Sequence, residues 1–112
     1  MIAINSYRGV SLQNEWVKKV ITQFNKDLYL TGFDKEFNET SDFSTFQSNC
    51  IAFFEVLLDS NNEQLLNLLY RIDVDQKKIY LGHGKPQILI SQLVIEREFQ
   101  KVVLKSQFSQ NN

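Results

Sequence analysis

Residues 86–105, PQILISQLVIEREFQKVVLK, decide how the chain is read. Ile88, Leu89, Leu93, Val94, Ile95, Phe99, Val102 and Val103 recur along this stretch without a breaker. Glu96, Arg97, Glu98, Gln100 and Lys101 between them are good helix formers. Proline at a first helical position loses nothing, because the N–H it lacks would have no partner there. The spacing therefore predicts a helix from Pro86 to about residue 105. Its first half is apolar nearly all round, which marks it as the central, most buried element. The competing reading of residues 77–90 is a β-hairpin, with Lys77–Leu81 and Gln87–Ile90 flanking Gly82-His83-Gly84. Short apolar runs suit either form, and the unbroken pattern after Ile90 favours the helix.

Working back from that helix, the same period recurs upstream. Leu12, Trp16, Val17, Val20, Ile21, Phe24 and Leu28 form one apolar stripe over residues 11–30. Ser11 is its expected N-cap and Gly32 its stop, with Lys18, Lys19, Gln23 and Lys26 on the wet face. Residues 33–42 read as a polar connection that Phe33 and Phe37 pin to the core. Phe43, Phe46, Cys50, Phe53, Phe54 and Leu57 predict a second helix to about Leu58, with Ser41 or Asp42 at its start. Asn61 and Gln64 have capping-box spacing for a short third helix, 62–72, whose Leu65, Leu66, Leu68, Leu69 and Ile72 predict wide burial.

The expected fold class is all-α: a compact bundle of about four helices, the third short, in one domain over 1–112 with 1–10 and 106–112 frayed. The length of 112 residues suits one domain. With 43% apolar and 22% charged residues the composition is ordinary for a globular protein. The net charge of −1 argues against a strongly basic nucleic-acid module, and no nucleic-acid partner is expected. No apolar run approaches a membrane span, and Met1–Asn5 lacks the pattern of a secretory signal, so a cytoplasmic protein without a membrane partner is expected.

The residues that carry chemistry are sparse. Cys50 is a single thiol in an apolar run and reads as a buried core residue. His83 is the only histidine, set between two glycines on a turn, so a zinc cluster is excluded and no metal is expected. Asp73-Val74-Asp75 echoes the start of a calcium loop, but Lys78 and Gly84 stand where that loop needs glycine and glutamate. Gly82-His83-Gly84-Lys85 precedes a helix without the spacing of a phosphate loop. No catalytic motif is present, no family is indicated, and neither catalytic residues nor a cofactor are expected.

Charge is uneven along the chain. Residues 34–63 hold seven acidic residues and one basic, whereas 77–105 hold six basic and two acidic. Nine Phe, four Tyr and one Trp are many aromatics for a small core to bury. These features point to a non-enzymatic protein-interaction module of the adaptor, assembly-factor or inhibitor type. A protein partner or self-association is expected, and Phe99, Val103 and Phe108 on the last helix are the suspected surface. The alternative is a small-ligand or anion binder that uses Arg71, Asp73, His83 and Lys85 in the 71–85 loop. An enzyme is the least favoured class, because it would need His83 or a pair of carboxylates assembled only by the fold.

Overall fold

The computed structural model describes residues 14–110, with side chains from 15 to 107. Five helices make up the fold among these residues: α1 Asn14–Leu30, α2 Phe43–Ser60, α3 Asn62–Ile72, α4 Gln76–Leu81 and α5 Pro86–Gln110. Helix α5 packs against all four others and is the axis of the fold. It runs past residue 105, where the apolar pattern ends, to Gln110. Ser11, the expected N-cap of α1, lies outside the described residues, as do 1–10.

The stripes read from the sequence form the core. Val17, Val20, Ile21, Phe24 and Leu28 of α1 are buried against Phe43, Phe46, Cys50, Phe54 and Leu57 of α2 and the middle of α5. Phe24 is the hub of an aromatic cluster, with ring centroids 5.2 Å from Phe37 and 6.2–6.3 Å from Phe46, Phe53 and Phe54. Aromatic rings in tilted or edge contacts add to what their buried area contributes.

The connection 33–42 is held as expected, and by one further device. Asn25 Nδ2 donates to the Phe37 carbonyl at 2.9 Å, while Phe37 N–H donates to Asn25 Oδ1 at 2.8 Å. One side-chain amide thus satisfies both backbone groups of the residue that enters the core. Upstream, α1 ends in a Schellman turn. Gly32 takes φ +86°, its N–H donates to Tyr29 O at 3.1 Å, and Phe33 N–H donates to Leu28 O at 3.0 Å. Open space surrounds Gly32, so alanine there meets only backbone strain. Gly32→Ala is expected to destabilise the protein by about 1 kcal/mol, read as a lower urea midpoint at unchanged slope.

The hairpin over 77–90 is replaced by a short helix, which raises the helix number from four to five. Asp75 Oδ1 accepts from Lys77 N–H at 3.0 Å and caps α4. Gly82–Lys85 then forms an exposed connection, and Pro86 opens α5. A Cβ at Gly82 would overlap the tip of the Leu89 side chain, which would have to shift. Asn61 serves both neighbours: its N–H donates to Leu57 O at 2.9 Å, and its Oδ1 accepts from Gln64 N–H at 3.0 Å to start α3. Helix α3 is less buried than its composition suggests, because Leu66 faces outward. Asp42 stands at the N-cap of α2, but its carboxylate accepts from the Thr45 hydroxyl rather than from the backbone.

Candidate functional site

Three features stand out once the helices are in place. The first is a charge cluster inside the bundle. Asp27 of α1 and Glu98 of α5 are fully buried, and Gln23 beside them is nearly so. Lys101 Nζ lies 2.7 Å from Asp27 Oδ2 and 3.0 Å from Glu98 Oε1. The second contact is off the direction a hydrogen bond needs, and neither Glu98 oxygen accepts a hydrogen bond. Arg71 Nε of α3 reaches Asp27 Oδ1 at 3.4 Å, Gln23 Nε2 donates to Asp27 Oδ2 at 3.4 Å, and Lys105 donates to Gln23 Oε1.

Two buried carboxyls side by side do not both ionise. Burial pushes the Glu98 carboxyl up to about 9, and the hydrogen bond and charge of Asp27 push the same way against Lys101. Burial raises Asp27 as well, but hydrogen bonds from Glu98, Lys101 and Gln23 and the Lys101 charge outweigh it and hold Asp27 below its ordinary range. Glu98 therefore keeps the proton of the pair and can donate it to Asp27. The pair ties α1, α3 and α5 together. With both carboxyls fully buried, it is shut away from any substrate in this conformation.

The second feature is a polar cleft of about 340 Å³ where the end of α3 and α4 meet α5. Asp73, Lys78, Glu96 and Arg97 line it. Asp73 ends α3 in the left-handed conformation, φ +74°, and its Oδ2 lies 3.2 Å from Arg97 Nη2. Aspartate is one of the few residues that tolerate this backbone state.

The third feature is an apolar groove of about 540 Å³ between α3, α4 and the start of α5. Leu65, Leu66 and Leu69 form one wall; Ile79, Tyr80 and Pro86 form the other. Leu66 is 42% exposed and Tyr80 79%, and Leu81 beside it is equally open. No charged residue lines it.

The residues singled out from the sequence are dispersed. Arg71 is engaged by Asp27 and Asp73 by Arg97, while His83 and Lys85 stand exposed on the α4–α5 connection. Of these four, Asp73 alone lines the polar cleft. His83 makes no hydrogen bond among the described residues. Phe99 is not a surface residue: it is buried against Trp16, with ring centroids 5.5 Å apart. Val103 is half-buried against the core, and the Phe108 side chain lies outside the described residues. Gln23, assigned to the wet face of α1, is buried within the charge cluster. Cys50 is buried as expected, and burial pushes its thiol up, away from reactivity.

Sequence reasoning missed Asp27, Glu98 and Lys101, and the place of Glu96 and Arg97 in the polar cleft. The described residues hold no group of three or more His, Cys, Asp or Glu placed to bind a metal ion. No described helix is long and apolar enough to cross a membrane. Nothing among protein-family models, curated proteins or solved structures matches this chain.

Proposed function

We propose that this chain is a protein-interaction module whose apolar groove pairs with the same groove of a second copy. The observation that carries the reading is the exposure of Leu66 and Tyr80 on opposite walls of one groove. Apolar residues exposed together beside a concave surface favour a partner that covers them. The lining carries no charged residue, so what covers it is itself apolar, and the same face of a second copy is such a surface. Covering a leucine or tyrosine of this kind contributes about 1.5–3 kcal/mol per side chain before the cost of association.

Sedimentation equilibrium of the full chain tests this directly. Twice the 13.1 kDa chain mass is expected. Leu66→Glu and Tyr80→Glu should each weaken pairing at least ~tenfold while leaving the helical circular dichroism unchanged. A mass of 13.1 kDa at every concentration, or pairing indifferent to both substitutions, overturns the reading.

A further inference from the structure

The polar cleft holds two buried groups that the fold leaves unanswered. Glu96 is 5% exposed, lines the cleft, and its Oε1 is without a hydrogen-bond partner. Arg97 lines the same cleft. Asp73 takes its Nη2 at 3.2 Å and Gln100 Oε1 takes its Nη1 at 3.3 Å, while its Nε is buried and unpartnered. The guanidinium is therefore fixed at both ends, with its buried Nε–H left without an acceptor. A buried acceptor or donor left unmet is costly, so such groups call for an explanation.

A molecule that answers both must carry a donor for Glu96 and an acceptor for Arg97. The volume, about 340 Å³, is at the small end of ligand pockets. The lining holds both carboxylates, Asp73, Asp75 and Glu96, and cations, Lys78 and Arg97, so each end of a zwitterion meets an opposite charge. Burial holds the Glu96 carboxyl above its usual range, and the Lys78 charge offsets only part of this. We propose that the cleft binds a small zwitterion of the free α-amino acid class, its ammonium on Glu96 Oε1 and its carboxylate on Arg97 Nε. This site is separate from the apolar groove and stands whether or not the chain pairs with itself.

The test is a nuclear magnetic resonance titration of the full chain with the common free α-amino acids. Putrescine, which has amines alone, and acetate, which has a carboxylate alone, serve as control probes. At least one amino acid is expected to shift the Asp75, Glu96 and Arg97 resonances saturably. The two control probes should bind at least ~tenfold more weakly, because each answers one group only. Glu96→Gln should weaken binding at least ~tenfold with the spectrum otherwise unchanged. Arg97→Lys, which keeps the charge but loses Nε, should do the same. The absence of a saturable shift with any amino acid overturns the proposal. Equal binding by putrescine or acetate, or undiminished binding by both variants, also overturns it.

Discussion

Replacing Lys101 with methionine is expected to destabilise the protein by about 3–5 kcal/mol, the range for a buried ion pair that loses one partner. The stem of the side chain is conserved in such a change, so packing is nearly kept and the charge alone is removed. Asp27 is fully buried, and its shortest charged contact is the Lys101 ammonium at 2.7 Å. Arg71 remains, but it is 3.4 Å away and its side chain is nearly half exposed to water. Urea unfolding followed by circular dichroism gives the value, with the slope unchanged if the native state is intact. A loss below about 1 kcal/mol would place the Asp27 charge in contact with solvent. The double change Asp27→Asn with Lys101→Met should recover part of the loss, because the stranded charge is then gone.

Glu98→Gln is expected to stabilise the protein by about 2–3 kcal/mol at neutral pH, and the gain should vanish in acid. Glu98 titrates at about 9 in the fold, against an ordinary value of 4.5. Below the ordinary value both the folded and the unfolded chain hold the proton, and Glu98 contributes its full stability. As pH rises from there to about 9, the folded chain keeps a proton that the unfolded chain has released. Stability then falls, by at most about 1.4 kcal/mol per pH unit, and levels off above the folded value. Glutamine is neutral throughout and its amide can still donate to Asp27. Asp27 works in the opposite direction: its pKa is lowered, so its contribution is lost as pH falls through the folded value. Both proteins share that acid loss, and the difference between their stability–pH curves isolates Glu98. Parallel curves would mean that Glu98 is ionised in the fold.

Where the sequence was legible, one physical signal was at work. Apolar residues at helical spacing locate α1, α2, α3 and α5, and the all-round apolar first half of α5 marks it as the centre. Cap and stop residues did the same locally, as Asn61 and Gly32 illustrate. The short α4 was hidden because six residues are too few to show a period. The charge cluster was hidden for a different reason. Asp27, Glu98 and Lys101 read as ordinary helix-surface residues, and only the fold shows what stands opposite them. A signal did exist. Asp27 lies three residues after Phe24 and seven after Val20, and Glu98 lies four after Val94, so both carboxyls fall within the apolar stripes. A charged residue inside a stripe is the mark of a buried, partnered group. The partners themselves, 74 residues apart for Asp27 and Lys101, could not be matched from one sequence. The groove was equally out of reach, since it is assembled from three helices whose exposed residues look unremarkable one at a time.

The central position of α5 governs how the chain must be made. Helices α1, α2 and α3 touch one another but all close upon α5, so their apolar stripes leave the ribosome only partly covered. The contacts from Asp27 to Lys101 and from Gln23 to Lys105 span 74 and 82 residues, so the bundle cannot lock until those lysines have emerged. Until then the phenylalanines of α1 and α2 have only one another, an arrangement prone to aggregation. A chain stopped before α5 is therefore expected not to fold as a smaller domain, read as a loss of helical circular dichroism.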